Sequence, residues 1–420
     1  MVGERTDSFT GREVLTGRTV IEQIQWVLIV ALVACFYLLD QSDFGSLTLI
    51  GLTLSITFLS VFTNHGKFTF RFEKYHGFVF LFATFCLLSS LWALNSSYSI
   101  TAAITIYEIG ICMTLLYSSF SKRDSIHFLL NAIVWAGFVV SLFFMISNGL
   151  TNIAAIAAVE GRVDTEVTNV NNIATLGAMS TVISFYYLLF TNRRKTSLII
   201  LTIPCVMMVA LSGTRKALLG LVAGIIILVW QRYKTKNIVR TIFRIIIAFS
   251  IVIVLLFLLS KLPIFSVVTE RMEGVFSYLT GNGKVDSSTA ARAFLIQIGL
   301  DQFKKTPILG IGIGNPRLLA IQYFGHNCYL HNNYVELLAG GGLVGMVLYY
   351  LPFIYATYFI IKNRGRINKT YCIVIVILIL LLAMDYGQVS YYSKMTYFYL
   401  LLMHEFIHIN REYNIQESFG

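Results

Sequence analysis

Apolar runs that reach or approach the roughly 20 residues an α-helix needs to cross a bilayer recur along most of this chain, and they limit the fold more than any other feature. IQWVLIVALVACFYLL, from Ile24, and RIIIAFSIVIVLLFLLS, from Arg244, are two of them. Inside hydrocarbon every backbone N–H and C=O must find a partner within the protein, which leaves helices or closed barrels. The runs lack the apolar/polar alternation of a barrel wall, so helices are expected. About twelve spans are predicted: 22–39, 45–63, 76–94, 100–118, 127–147, 172–190, 197–212, 216–231, 243–260, 333–361, 371–388 and 393–409. The composition agrees, with 56% hydrophobic and 13% charged residues and a mean hydropathy of +0.73. A soluble domain does not reach these values. The prediction is therefore an all-α polytopic membrane protein, one transmembrane domain over residues 1–420, with a long, partly helical loop at 261–332.

Orientation follows from the basic residues, which are retained in short cytoplasmic loops. With the amino terminus inside, most of the 32 Lys and Arg residues fall in inner segments, among them Lys67, Arg71, Lys74, Lys362 and Arg411. Arg162, Arg215, Lys216 and Lys394 fall on the other side. Both termini are then cytoplasmic and the 261–332 loop faces outward. No small-residue cleavage site follows the first apolar run, so the first helix is expected to stay as an anchor. The net charge of +11 reads as topology signal and attraction to anionic membrane lipid. Nucleic acid is not an expected partner, because no basic patch is interleaved with aromatics on a soluble face.

Two metal-like patterns occur. His404, Glu405 and His408 spell HEFIH, the HExxH spacing that puts two histidines one turn apart for zinc. The pattern lies at the inner end of the last span, and the nearest intramembrane carboxylate, Asp385, belongs to the outer end of the preceding one. A pair of interfacial histidines is the preferred reading. His326, Cys328 and His331 form the second pattern and lack a further ligand, so no metal is expected. Cys35, Cys86, Cys112, Cys205 and Cys372 lie in predicted helices and read as small core residues rather than a disulfide framework.

The polar residues suited to chemistry cluster between Ser287 and Tyr350. A helix over about 289–305 is predicted, capped by Asp286, Ser287 or Ser288, ended by Lys304, Lys305 and Pro307, with Arg292 in its first turn. GIGIGN at 310–315 follows, then Pro316 and Arg317. Alternate glycines suit either a phosphate cradle or, more simply, a tight turn returning the chain to the membrane. Glu108, Arg215, Glu336 and Asp385 are charged residues in or beside predicted spans, where burial is costly unless the group is paired or wet. Arg215 follows a short SGT break and is expected at the outer mouth. His331 and Asn332 open the tenth span, with Glu336 about one turn further. Arginine forks bind phosphate oxygens bidentately, and a neutral imidazole can take a hydroxyl proton. Together these groups suit an anionic, lipid-borne substrate.

The segments SGTRKALLGL, PILGIGIGN and LHNNYVELLAGGGLVG, with Arg292 between the first two, resemble the O-antigen ligase and polymerase superfamily of bacterial surface polysaccharides. The pattern of His331 and Asn332 followed by Gly342, Leu343 and Gly345 is similar to that family's signature. SSLWALNSSYSITAA and the EGRVDTEVTNVNNIATL segment around Arg162 resemble its earlier parts. The resemblance implies a membrane fold like that of the C-class glycosyltransferases and an active site outside the bacterial cytoplasmic membrane, carried in part by the 261–332 loop. It implies an undecaprenyl-pyrophosphate-linked glycan donor, a glycan or lipid-linked acceptor, no metal or other cofactor, and inversion at the anomeric centre. His331 is then the general base and Arg215 and Arg292 hold the pyrophosphate. Arg162, Arg317, Asn332 and Glu336 are further candidates for substrate binding or support. Tyr323, Tyr329 and Tyr334 offer sugar-stacking faces, although an interfacial tyrosine belt accounts for them equally well. A polymerase of O-antigen, capsule or exopolysaccharide repeats is preferred, and a ligase to lipopolysaccharide core or another acceptor is the alternative. Other glycan-assembly membrane proteins are expected neighbours. A transporter is the rival class, and it would require matching halves around a midplane site, which the sequence lacks.

Overall fold

The computed structural model describes residues 20–39, 44–63, 67–120, 125–149, 164–165, 168–191, 195–233, 243, 287–325, 327–363 and 369–419. Residues 244–260 of the predicted span 243–260, Arg162, His326 and residues 261–286 of the 261–332 loop lie outside the described residues.

Thirteen helices are described, in chain order α1 (Val20–Leu38), α2 (Phe44–Thr63), α3 (Lys74–Ser89), α4 (Ser96–Ser119), α5 (Ser125–Asn148), α6 (Val170–Phe190), α7 (Lys195–Leu211), α8 (Arg215–Tyr233), α9 (Ser287–Lys305), α10 (Pro316–Phe324), α11 (Asn333–Lys362), α12 (Thr370–Met384) and α13 (Lys394–Phe419). Two-residue strands, β1 (Asp164–Thr165) and β2 (Thr168–Asn169), pair antiparallel ahead of α6. Seven helices are long and apolar enough to cross a membrane, namely α1, α2, α4, α5, α6, α8 and α11, while α3, α7 and α12 are shorter apolar helices. Large apolar side chains point outward from them, Phe58 at 64% exposure and Ile104 at 61%. An apolar exterior of this kind belongs in lipid rather than water.

Helix ends follow local chemistry. Asn95 caps α4 by accepting the Ser97 N–H at 3.0 Å, and Asn332 caps α11 by accepting the Val335 N–H at 3.1 Å. Both satisfy amide donors that the first helical turn leaves unpaired. Helix α3 stops at Ser89, short of the expected residue 94. Ser89 and Ser90 turn their hydroxyls onto the carbonyls of Cys86 and Leu87 at 2.7 and 2.6 Å. The chain then leaves toward a loop distant in sequence, where the Trp92 indole donates to the Leu309 carbonyl at 3.2 Å. Helix α12 ends at Met384 rather than residue 388, because the residues after it serve the polar cluster described below.

Helices α3 and α4 pack as a hairpin, with α3 against α11 and α4 against α2; α5, α6 and α7 pack together; α8 bridges α6 and α12; α9 lies on α11. Hydrogen bonds gather the turns into two groups at opposite ends of the helices. Residues 89–99, 308–315 and 339–344 join at one end, together with 330–333 and 385–391. Residues 71–76, 118–125, 352–355 and 404–411 join at the other.

Candidate functional site

The first group of turns is organised by a splice between two backbones. Helix α11 opens at Gly342, whose φ of 61° and ψ of −160° are not helical. The 307–311 segment fills the opening: the N–H groups of Leu343 and Val344 donate to the carbonyls of Pro307 and Ile308 at 2.9 and 3.2 Å, and the Ile311 N–H donates to Ala339 at 3.0 Å. The contact is too close for side chains. A Cβ at Gly342 would lie 2.3 Å from the Ile308 carbonyl carbon, and one at Gly310 would lie 2.4 Å from that of Gly340. Gly310, Gly312 and Gly314 all take positive φ, which glycine alone adopts without steric cost. The amides of this loop are used within the protein, since Gly310 N–H bonds Thr306 and Asn315 N–H bonds Gly312, while Ile313 N–H bonds the Ser89 hydroxyl at 3.1 Å. GIGIGN is thus a tight return, with the amides of Gly310, Ile311, Ile313 and Asn315 taken up within the protein.

The loop leads into α10 with Pro316 at its start. Arg317 follows, its guanidinium carbon 5.0 Å from the Tyr98 ring centroid and within Coulombic reach of Glu336. Glu336 is buried, 2% exposed, and its carboxylate accepts the Leu330 N–H at 2.8 Å. That bond holds the segment leading to His331. His331 is the one non-glycine with positive φ among the described residues, at 56°. A β-carbon in that region is strained, and strain of this kind persists only where surrounding contacts impose it. Here Glu336 fixes the residue before it and Asn332 the helix after it. The imidazole sits 4.8 Å from the Tyr329 ring, centroid to centroid.

Beyond His331 lies a buried polar cluster. Asn333 donates to Tyr350 Oη at 3.1 Å and to Asp385 Oδ2 at 3.2 Å, and its Oδ1 accepts the N–H groups of Ser390 and Tyr391 at 2.9 and 3.1 Å. Asp385 also accepts from Tyr350 Oη at 2.7 Å and Ser390 Oγ at 2.6 Å. The cluster ties the start of α11 to the α12–α13 loop. Lys216 reaches the same loop, donating to Gln388 Oε1 at 2.7 Å. Its neighbour Arg215 begins α8 after a turn in which Thr214 Oγ1 donates to Asn171 Oδ1 at 2.7 Å. Arg215 is half-buried, at a helix N-terminus whose dipole favours anions.

Arg215 and His331 are therefore each one or two residues from side chains anchored in the 385–391 loop. Arg317, Asn332 and Glu336 pack around the His331 segment. Arg292 lies on an exposed position of α9, which docks on α11 through Gly299, where a Cβ would meet Val335 and Leu330 within 2.5 Å. Lys304 of the same helix pairs with Asp301 at 2.8 Å and holds that carboxyl below its usual range, helped by Gln297. The sequence marks Asp385 only as an intramembrane charge and gives no sign of Asn333, Tyr350 or Ser390. The available signal is a carboxylate at the end of an apolar run, which needs partners.

HEFIH lies at the opposite end, its groups facing separate partners. His404 Nε2 is 3.2 Å from the Pro352 carbonyl, with its ring stacked by Tyr75 and Tyr355. Glu405 accepts from Arg71 at 3.2 Å and Ser125 at 2.8 Å. His408 Nδ1 is 3.1 Å from Glu73. Among the described residues no three His, Cys, Asp or Glu side chains come together in a way that could hold a metal ion.

Fold and site define a polytopic helical membrane protein in which a broken helix, a glycine loop spliced into it and a buried polar cluster lie at one end. Residues 200–350 match the O-antigen ligase family model. That stretch holds Arg215, Arg292, Arg317, His331, Asn332 and Glu336. The chain is also similar to an uncharacterized protein of Haemophilus influenzae, 28% identical over 256 residues, which cover 54% of this chain and 62% of that protein.

Proposed function

We propose that the protein is a glycosyltransferase of the bacterial cytoplasmic membrane. It polymerises undecaprenyl-pyrophosphate-linked oligosaccharide repeats of O-antigen, capsule or exopolysaccharide on the outer face. The observation that carries this reading is the coincidence of the O-antigen ligase match over residues 200–350 with the shared anchoring of the Arg215 turn and the His331 segment in one loop. Twelve spans with both termini in the cytoplasm complete the arrangement. The chain spans 62% of its relative's length, and that relative has no assigned activity to transfer.

In the proposed reaction His331 takes the proton of an acceptor sugar hydroxyl as its oxygen attacks the anomeric carbon of the donor. The bond from that carbon to the pyrophosphate oxygen breaks with inversion, and undecaprenyl pyrophosphate leaves with the electron pair. Arg215, aided by the α8 N-terminus, and Arg292 stabilise the departing anion, so the chain's own cations supply the charge neutralisation and no metal is needed. Arg317, balanced by Glu336, and Arg162 serve the glycan or the same anion.

A ligase is the second reading, favoured by the description of the matching family as O-antigen ligase. Purified protein given one lipid-linked repeat as sole substrate distinguishes the two. A ladder of products with release of undecaprenyl pyrophosphate is expected. Transfer that begins only when a different acceptor is added assigns the ligase, and uptake into vesicles without product overturns both.

A further inference from the structure

We infer that the opposite end of the bundle carries a binding site for the phosphate of an anionic membrane phospholipid, formed by Lys74 and Arg411 around Tyr355. This inference is independent of the proposed reaction. The three residues line an open notch, together with Glu73, His404 and His408. Arg411 Nη1 donates to Tyr355 Oη at 3.2 Å, and Lys74 Nζ stands 5.5 Å from the same ring centroid. Both cations are exposed, and among the described residues neither has a carboxylate within ion-pair distance. The one acid in the notch, Glu73, is engaged by His408 at 3.1 Å. The other nearby carboxylate, Glu405, is taken by Arg71 at 3.2 Å. The notch thus presents two cations, Lys74 and Arg411, against the single carboxylate of Glu73. Its space, about 10 Å³, holds roughly one oxygen atom, which suits a phosphate oxygen at the rim rather than a sugar ring.

The neighbouring segment points to which phosphate. In the KFTFRFEK stretch from Lys67 to Lys74, residues 67–73 lead into α3 outside any helix or strand. Phe68, Phe70 and Phe72 are 38%, 61% and 54% exposed, and Phe72 stacks on Phe70 and Phe80 at 6.4 and 6.0 Å. Arg71 turns inward over the Tyr117 ring at 4.3 Å. Three outward aromatics beside two unpaired cations match a molecule with acyl chains below a negative headgroup, and basic pockets among helix ends recognise such lipids. Free phosphate would use the cations and gain nothing from the aromatic row.

The full-length protein in neutral detergent, titrated with phosphatidylglycerol or phosphatidylcholine and read by native mass spectrometry, tests this. Phosphatidylglycerol should bind preferentially, and the Lys74→Ala/Arg411→Ala double variant should lose roughly 25-fold of that preference, about fivefold per cation. Lys74→Arg should keep it. Equal binding of the two lipids by the unaltered protein, or an undiminished preference in the double variant, overturns the inference. Displacement of the lipid by inorganic phosphate at equal concentration overturns it too, because the site would then be one for the free ion.

Discussion

His331 carries two properties that rarely meet: a titratable ring suited to base catalysis and a backbone conformation that disfavours its own β-carbon. Asparagine tolerates the left-handed region better than other side chains. His331→Asn therefore removes the base while preserving the turn. Transfer should fall by at least about 100-fold with the melting temperature unchanged, measured with lipid-linked oligosaccharide and by thermal unfolding. Near-normal product from this variant would reject the base assignment. Arg215→Lys should also lose most activity, because an ammonium cannot reproduce a bidentate fork on a pyrophosphate. Equal turnover by the lysine variant would leave Arg215 as a simple point charge. Asp385 differs from both in that its partners are all protein groups, Tyr350, Ser390 and Asn333. Asp385→Asn turns a charged acceptor into an amide that must point a donor at donors, and should destabilise the protein by about 1.5–3 kcal/mol. A lowered unfolding midpoint in detergent reads this out, and an unchanged one would show that the cluster does not hold α11 to the α12–α13 loop.

Among the elements, α11 tests what its glycines do. Gly342 has a positive φ, and a Cβ there would stand 2.3 Å from the Ile308 carbonyl carbon, so Gly342→Ala should cost at least about 1–3 kcal/mol and reduce the folded yield. Gly51, within α2, meets nothing within 4 Å, and Gly51→Ala should be neutral or stabilising by up to about 1 kcal/mol. Size-exclusion recovery of the two variants compares them, and equal recovery would mean that the splice tolerates a side chain. The GLxG signature thereby receives a structural explanation: one glycine opens the helix, and Gly345 gives room to Phe85, whose ring edge lies 2.9 Å from where its Cβ would be. Neither property is legible locally. The run of three glycines at 340–342 does not reveal which one breaks the helix, because the break is imposed by residues 307–311, distant in sequence. Likewise α10 is marked only by Pro316 in its first turn and Gly325 at its end, around nine residues that are too few to show a helical period.

Over the whole molecule, span positions are legible because hydrocarbon transfer is written residue by residue. Eleven of the twelve expected spans have a helix at the expected place, and the twelfth, 243–260, lies outside the described residues from 244 onward. Burial partners are not legible, since Asn333, Tyr350 and Asp385 meet only once α11 and α12 pack together. The spatial sorting of the turns is the feature that reaches furthest. The basic segments around Lys67, Arg71, Lys74 and Arg411 share one end, and the loop of residues 385–391 shares the other with the His331 segment. The expectation that basic residues are retained inside assigns the first end to the cytoplasm, which cysteine labelling tests. Tyr386, 69% exposed, and Lys67, also exposed, are suitable reporters at the two ends. In a background with the six native cysteines replaced, Tyr386→Cys should react with a membrane-impermeant maleimide on intact spheroplasts. Lys67→Cys should react only after permeabilisation. The reverse pattern would turn the His331 segment toward the cell interior, where a donor already flipped to the outer leaflet could not reach it, and the polymerase and the ligase would fail together.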